Sequence, residues 1–200
     1  MRLIIASNNA HKVREIQEIV GKYFTDMSTL RAAGLDIDVV EDGKTFQENA
    51  IKKAEEVLAA ATEYDAALAD DSGLIVDALN GAPGVYSARY AGEGHNDDDN
   101  NKKLMEDMKD VPDAERNCRF ASAIALARRG LPTLCVIGYA EGVLLREACG
   151  ENGFGYDPYF FYPPLGKSFA ELNAEEKNAV SHRKQSLALL QQALDAEQQA

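Results

Sequence analysis

A short apolar run, a polar turn and a helical pattern open the chain in that order, and this order constrains the fold more than any other feature. Arg2 to Ala6 is a run of mostly aliphatic residues, and the Ser-Asn-Asn at 7–9 is polar. The apolar residues that follow recur at helical spacing: Val13, Ile16, Ile19 and Val20. A strand, a turn and a helix in succession are typical of α/β proteins, so we predict this fold class.

Two more helices are predicted from apolar periodicity and from capping residues. One covers about 45–62 and begins with a capping box formed by Thr45 and Glu48. The last helix carries a leucine stripe and reaches the C-terminal tail. Its start is left open between Asn173 and Ser181, since each is a residue type that caps helices.

Strands are predicted where β-branched and apolar residues form short runs. Residues 66–69 predict a buried strand, and 116–128 with 131–140 predict a hairpin that turns near Gly130. The sequence has no internal repeat and no linker rich in proline, glycine or serine. We therefore expect a single domain over residues 1–200, with a cleft.

The charge of the chain excludes some classes of partner. Lysine and arginine total 21 against 33 aspartate and glutamate residues, which gives a formal net charge of −12. A broad basic surface that could follow a nucleic-acid backbone is therefore not expected. A small anionic molecule could still bind where cations or a metal ion gather locally.

The N-terminus and the cysteines indicate the cytoplasm. The apolar run near the start of the chain is too short for a signal peptide or a membrane span. Cys118, Cys135 and Cys149 have no CxxC spacing and no histidine placed to complete a zinc site. We expect small buried cysteines in a reducing compartment, a cytoplasmic location and no membrane partner.

The first predicted helix begins with basic residues, although a helix N-terminus already carries partial positive charge. His11, Lys12 and Arg14 lie in or near its first turn. Free backbone N–H groups, the helix dipole and the Lys12 ammonium could together bind a phosphate. A solvated basic turn is the alternative interpretation.

A second basic cluster occurs near the C-terminus. Ser181 can cap a turn that contains His182, Arg183 and Lys184, and Lys177 lies just upstream. This repeats the arrangement at the first helix. If the helix begins at the earlier of its two possible starts, Ser181 is a mid-helix residue and the cluster says less about a ligand.

An aromatic residue lies between glycines in the segment GENGFGYDP. Phe154 is flanked by Gly153 and Gly155, so core packing would hold its ring poorly. Such a ring is well shaped to stack on a flat ligand. Packing within the protein is the alternative for any single aromatic side chain.

Two adjacent carboxylates follow the predicted buried strand at 66–69. Asp70 and Asp71 precede Ser72 and Gly73. Phosphate chemistry in an acidic protein calls for a divalent cation, and magnesium takes one or two carboxylates together with phosphate oxygens and water. The pair is therefore a candidate magnesium site. The alternative is an Asx-type turn that closes the strand.

Five segments together resemble the inosine triphosphate pyrophosphatase family, whose members act on noncanonical purine nucleoside triphosphates such as dITP and XTP. The segments are SNNAHKVREI, TFQENAIKKA, ADDSGLIVDALNGAPGVYSARYAG, GFGYDPYFF and EKNAVSHR. They occur in the family's order and extend over nearly the whole chain. One departure is Asn8, where relatives often carry glycine.

The resemblance implies a fold, a reaction and an assembly. The fold would be an elongated, two-lobed α/β fold with a central mixed β-sheet flanked by helices and an active-site cleft between the lobes. The reaction would be hydrolysis of the α–β phosphoanhydride of ITP, dITP or XTP, with Mg²⁺, to the nucleoside monophosphate and pyrophosphate. The family is usually homodimeric, so a homodimer is expected.

The resemblance also assigns roles to individual residues. Asp71 would accept a proton and, with Glu41, bind the metal ion, and Ser72 would be a further nucleotide contact. The phosphate loop would consist of consecutive residues: Ser7, Asn8, Asn9, Ala10, His11 and Lys12. The base pocket would be formed by residues of the last two segments: Phe154, Gly155, Tyr156, Asp157, Lys177, His182 and Arg183.

Donor and acceptor chemistry accounts for the implied choice of base. Lysine and arginine only donate, and hypoxanthine and xanthine present an acceptor oxygen where adenine presents an amino group. Two other functions are open: a pyrophosphatase for other modified nucleotides, such as methylated pyrimidine triphosphates, and a sensor that binds nucleotide without turnover. The presence of Lys12, Glu41 and Asp71 argues against the sensor.

Overall fold

A computed structural model of the chain describes residues 1–7, 10–94 and 96–199, without the side chains of residues 10 and 11. In chain order, the described strands and α-helices are β1 (Arg2–Ile5), α1 (Ala10–Val20), β2 (Asp26–Thr29), α2 (Phe46–Ala60), β3 (Ala66–Val76), α3 (Asp97–Asp107), β4 (Asn117–Arg128), β5 (Leu131–Leu144), β6 (Phe160–Tyr162), β7 (Lys167–Ser168), α4 (Ala174–Val180) and α5 (His182–Gln198). Strands and α-helices alternate up to α3, after which four strands and then two helices follow.

The strands form one mixed sheet. Within the described residues the sheet has seven strands, in the order β2-β1-β3-β4-β5-β6-β7. Strand β1 pairs in parallel with both β2 and β3, whereas β6 pairs antiparallel with β5 and β7. Parallel strands need a helical crossover, which α1 and α2 supply in the first part of the chain. The predicted α/β class with a mixed sheet is confirmed.

The chain forms two compact units. The first comprises Met1–Asp71, Ser122–Gly138 and Arg183–Ala200, and the second comprises Ser72–Ala121 and Tyr139–His182. In the first unit, buried aliphatic residues of β1, α1, β3, β4 and α5 form the core: Leu3, Ile5, Ile16, Val20, Leu68, Ile124, Leu126, Leu187, Leu190 and Leu194. The predicted apolar faces of the first and last helices are therefore the faces that the core buries.

The second unit has a core that is richer in aromatic side chains. It contains Leu104 of α3, Met108 directly after that helix, and the rings of Phe120, Phe160 and Phe169. The centroids of the last two rings lie 4.6 Å apart, and Phe120 stacks on Phe169 at 5.8 Å. Aromatic packing of this kind adds to the free energy gained from burying the apolar surface.

Both proposed starts of the last helix exist, because the segment forms two helices. Asn173 caps α4 and forms a capping box with Glu176, and Ser181 separates α4 from α5. The helix predicted over 45–62 is also confirmed, with Thr45 as its cap and Glu48 as the capping-box partner. Local capping chemistry thus located these boundaries from the sequence.

Strand β3 is longer than predicted. The sequence placed its end near residue 69, but the strand continues through both carboxylates to Val76. Asp70 and Asp71 are buried within it. The interpretation as an Asx turn that closes the strand is therefore wrong, and the physical reason is that partners elsewhere in the fold satisfy both carboxylates.

Two findings concern the cysteines and the membrane. Cys118 is buried, but Cys149 is exposed in the loop after β5, so the prediction of buried cysteines is wrong for Cys149. Its position outside the strands removes it from the core. Over the part of the chain that the structure describes, no helix is both long and apolar enough to cross a bilayer.

Candidate active site

Asp70 and Asp71 are adjacent on β3, so their side chains leave the strand on opposite faces. Three donors surround the first of them. The Lys12 ammonium donates to Asp70 Oδ1 at 2.5 Å, and Arg183 Nε and Ser122 Oγ donate to Oδ2, both at 2.9 Å. Burial by itself would raise the pKa of Asp70, but the positive charges of Arg183 and Lys12 hold it well below its usual value. Asp70 is therefore a permanent anion between two cations.

Asp71 has a different environment. Asn49 Nδ2 donates to its Oδ2 at 3.0 Å, and the Asn49 Oδ1 accepts the Gly43 N–H at 2.7 Å. Burial raises the pKa of Asp71 to about 6; the hydrogen bond from Asn49 opposes this rise, and the negative charge of Glu41 adds to it. A carboxylate with this pKa can accept a proton close to neutral pH.

Asn49 was missed by the sequence reasoning. It is 1% exposed and lies on α2, three residues after the buried Phe46 and one before the buried Ala50. A polar residue on the apolar face of a predicted helix was the signal that could have revealed it, because a buried amide requires hydrogen-bond partners. Its partner proved to be the carboxylate of Asp71.

Glu41 lies close enough to Asp71 for its charge to act on that pKa. Lys53 on α2, another residue that the sequence reasoning missed, donates to Glu41 Oε1 at 2.5 Å. Throughout the described ranges, no group of three or more His, Cys, Asp or Glu side chains is arranged to hold a metal ion. A pair of carboxylates suits magnesium, which completes its shell with phosphate oxygens and water, and does not suit a structural zinc ion.

Arg183 lies in the first turn of α5 and is 4% exposed. Besides Asp70, its guanidinium contacts Glu15, whose Oε2 accepts from Nη1 at 3.1 Å. Glu15 is on α1, one turn after Lys12, and it too was missed. Arg183 thus contacts two carboxylates of the first unit, while its predicted role at the base stays a prediction.

The phosphate loop is described only in part. Ser7 follows β1 and is partly buried, and Lys12 lies in the first turn of α1. Asn8 and Asn9 lie outside the described residues. Ala10 and His11 begin α1, but their side chains are outside the description. The predicted loop from Ser7 to Lys12 is therefore represented here by its two ends.

Ser72 continues β3 and begins the second unit, where the residue after it has to be glycine. A Cβ on Gly73 would lie 2.3 Å from Ser87 Oγ and 2.7 Å from the Gly84 carbonyl oxygen. The Ser87 hydroxyl is itself fixed, since it donates to that carbonyl and accepts the Leu74 N–H. This close packing holds the strand in place directly after the two carboxylates.

Three of the predicted base-pocket residues come together in the second unit. The Phe154 N–H donates to Asp157 Oδ2 at 2.8 Å, and Lys177 Nζ donates to the same oxygen at 2.5 Å. The Lys177 ammonium also lies 4.6 Å from the centroid of the Phe154 ring, a cation–π contact. The ring itself is 49% exposed, as expected of a side chain that core packing does not hold.

The other aromatic residues of this region are packed within the protein. Tyr156 is buried, its hydroxyl donates to the Ser87 carbonyl at 2.7 Å, and burial raises its pKa. His182 is buried and stacks on Phe120, with ring centroids 4.9 Å apart. Phe154 therefore differs from its neighbours in presenting its ring to solvent.

Comparison with known proteins gives a consistent result. A model of the Ham1 family matches residues 3–193. A dITP/XTP pyrophosphatase of Clostridium perfringens is 50% identical over 197 residues, which is 96% of this chain and 97% of that protein. One of Pseudomonas aeruginosa is 50% identical, with 96% of each chain covered. The structure of the Staphylococcus aureus Ham1 protein superposes with a TM-score of 0.90 at 39% identity, over 98% of this chain and 100% of that one.

Proposed function

The chain belongs to the Ham1 family, and from this premise we propose that it is a nucleoside triphosphate pyrophosphatase that hydrolyses dITP and XTP. ITP, which carries the same base as dITP, is the third substrate. The products are the nucleoside monophosphate and pyrophosphate, so the enzyme removes noncanonical purine nucleotides from the pool. Residues 1–200 act as one catalytic domain.

The observation that carries this proposal is the contrast between two consecutive carboxylates. Asp70 stays ionised because Lys12 and Arg183 compensate its charge, whereas the pKa of Asp71 is raised to about 6. Two carboxylates held at different pKa values are the arrangement expected of a hydrolytic site. Asp71 is the group poised to take a proton from water.

The residues of the first unit divide the work of hydrolysis. Lys12 supplies a positive charge for the triphosphate, and the Asn49 amide orients the Asp71 carboxylate through a hydrogen bond to its Oδ2. A water molecule attacks the α-phosphorus in line as Asp71 accepts its proton. The α–β phosphoanhydride bond breaks, and pyrophosphate leaves. No covalent intermediate with the protein is required.

Glu41 and Asp71 fit a divalent cation. Burial raises the pKa of Asp71 most, and the negative charge of Glu41 raises it further, a repulsion that a bound cation would relieve. These two carboxylates would hold Mg²⁺. When bound, the ion would neutralise charge on the triphosphate and on the leaving pyrophosphate.

The second unit would recognise the base. Phe154 offers an exposed ring for stacking, and Lys177 beside it offers a donor to the oxygen that distinguishes hypoxanthine and xanthine from adenine. We assign Gly155, Tyr156, Asp157 and His182 of this unit to the same pocket, and we keep Arg183 as a proposed contact of the base. Adenine would leave such donors without an acceptor, which disfavours ATP.

Two further aspects of the proposal concern assembly and location. Tyr86, in the segment GVYSARY, is 59% exposed, so its ring is accessible for contact with a second copy of the chain. We propose a homodimer in the cytoplasm. Sedimentation at micromolar concentration should give a mass about twice the 21.8 kDa of one chain. A monomer would contradict the assembly without affecting the proposed reaction.

The reaction is tested by a substrate panel. Purified protein is incubated with ITP, XTP, dITP, ATP, GTP and a methylated pyrimidine triphosphate, with magnesium or with EDTA. We expect pyrophosphate from the first three, little from the others, and none with EDTA. Orthophosphate as the first product would contradict the mechanism, and preference for the pyrimidine would move the protein to the related class of modified-nucleotide pyrophosphatases.

A further inference from the structure

Helix α3 binds one residue of the aromatic loop through both of that residue's backbone groups. Asp97 Oδ2 accepts the Gly155 N–H at 2.8 Å, and Asn101 Nδ2 donates to the Gly155 carbonyl at 2.9 Å. Asp97 and Asn101 are four residues apart, so they lie on the same face of α3, one turn from each other. The helix therefore holds the peptide groups on both sides of the Gly155 Cα.

The residue held in this way is next to the exposed ring. Gly153 and Gly155, on either side of Phe154, have φ values of +79° and +59°, which few other residues adopt. Glycines give a loop many accessible conformations, and the half-exposed ring of Phe154 has limited packing to select one of them. Hydrogen bonds to the loop backbone must do so instead.

Asn101 has a second feature that core stability does not explain. It is 9% exposed, and its Oδ1 is buried without a hydrogen-bond partner among the residues that the structure describes. A buried carbonyl without a partner lowers stability, so an apolar residue would suit this position better if packing alone mattered. The function of this amide lies in the donor that it directs at Gly155.

We propose that Asp97 and Asn101 are positioning residues that fix the Phe154 ring, so that a purine stacked on it presents its edge to the Lys177 ammonium beside the ring, and that they contribute in this way to the choice of base. The inference rests on the proposed function, because it assumes that Phe154 contacts the base. It adds α3 to the determinants of specificity.

The position of the ring can be measured without any nucleotide. The chain contains no tryptophan, so Phe154→Trp introduces a single tryptophan into the loop, and its fluorescence can be excited at wavelengths where the eight tyrosines do not absorb. In this background, Asp97→Ala and Asn101→Leu should each lower the steady-state anisotropy and increase quenching by acrylamide. Asp97→Asn keeps an acceptor oxygen, so its anisotropy and its quenching by acrylamide should stay close to those of the parent protein.

Asp98→Ala is the matched control. Asp98 is exposed in the same first turn of α3, and its replacement removes the same charge from the helix N-terminus. Its anisotropy should match that of the parent. If Asp97→Ala, Asn101→Leu and Asp98→Ala all leave the anisotropy unchanged, or all lower it equally, the proposed positioning is wrong.

Kinetic measurements test the link to specificity, and for these the substitutions are made in the protein that keeps Phe154. Each substitution removes one hydrogen bond, so KM for ITP should rise about twofold to tenfold, with kcat at saturation nearly unchanged. The ratio of kcat/KM for ITP over ATP should fall. Because both residues hold the same glycine, the double variant should lose less than the two single losses combined.

The two experiments fail in distinguishable ways. A protein that releases no pyrophosphate from any purine would refute the proposed function and leave the anisotropy result standing. Lower anisotropy with an unchanged ITP-to-ATP ratio would refute the role of α3 in specificity. Urea unfolding provides the remaining check: Asn101→Leu should not reduce the free energy of unfolding, and a large reduction would make Asn101 a structural residue.

Discussion

Each unit of the molecule contains a buried aspartate bound by a lysine, and the two pairs serve different ends. Lys12 binds Asp70 in the first unit and Lys177 binds Asp157 in the second, both at 2.5 Å. The lysine side chains are similarly accessible, at 20% and 16%. The geometry of the ion pair alone therefore does not reveal what either pair does.

The other partners of each aspartate make the difference. Asp70 receives a second cation, Arg183, so that the carboxylate joins two positive charges. Asp157 instead receives a backbone N–H from Phe154, and its lysine lies beside the Phe154 ring. The contacts of Asp70 hold two positive charges close together, which suits the binding of a triphosphate. The contacts of Asp157 fix the conformation of a loop, which suits the binding of a flat base. Substitutions at matched positions can test this contrast.

The largest expected effect is on stability, from Asp70→Asn. This change leaves Lys12 and Arg183 without the anion that joins them, so the free energy of unfolding should fall by about 3–5 kcal/mol. Asp157→Asn removes the ion-pair partner of one lysine only, Lys177, which is partly accessible to solvent. The free energy of unfolding should therefore fall by about half as much. Urea unfolding at pH 7 measures both. Equal losses would remove the distinction between the two pairs.

The next effect is on catalysis, from Asp71→Asn. The amide keeps the shape of the side chain but cannot accept the proton, so kcat for ITP should fall by at least about a hundredfold. Phe154→Ala in the second unit should instead act mainly on KM. Circular dichroism should show that Asp71→Asn folds normally. Near-normal turnover in this variant would mean that Asp71 is a structural residue.

A third test compares the two cations assigned to the base. Arg183→Ala and Lys177→Ala should each lower the ratio of kcat/KM for ITP over ATP, by about tenfold to a hundredfold, because a charged hydrogen bond is lost. Arg183→Ala should also reduce stability, since Asp70 and Glu15 both lose a partner. An unchanged ratio for Arg183→Ala would assign this residue to the charge network of the first unit only.

The last test is the pH dependence of stability in EDTA, where no divalent cation contacts Asp71. The pKa of Asp71 rises from 3.8 when unfolded to about 6 when folded, so the folded protein binds the proton more tightly. Stability is therefore lost as pH rises through this interval. Well above pH 6, Asp71→Asn should be the more stable form by about 3 kcal/mol, and below pH 4 the difference should vanish. Parallel stability curves for the two proteins would contradict the raised pKa.

The sequence predicted those parts of the fold that depend on local patterns. The apolar face of α1, the capping box at Thr45 and the Asn173 cap depend on residues within one or two turns. The length of β3 was mispredicted because charged residues normally end a buried run, and their compensation comes from Arg183, 113 positions away. No local pattern reports such a partner.

The same limit applies to the site. The resemblance named Asp71, but it did not indicate the amide that orients it, since Asn49 lies 22 positions upstream. Glu15 and Lys53 were also missed, because exposed faces of helices commonly carry such residues and only the fold shows which carboxylate or cation each one meets. Phe154, by contrast, was recognisable as an exposed ring because the glycines that flank it are neighbours in sequence.

The close packing at Gly73 has a consequence for how this protein can diverge. A side chain at this position meets Ser87 Oγ, and replacing the serine would not make room, because the Gly84 carbonyl oxygen is only 2.7 Å from the Cβ position. A compensating mutation can remove a side chain but not a backbone atom. Position 73 is therefore closed to stepwise drift, and descendants of this protein can diverge around this glycine but not at it unless the backbone near Gly84 moves.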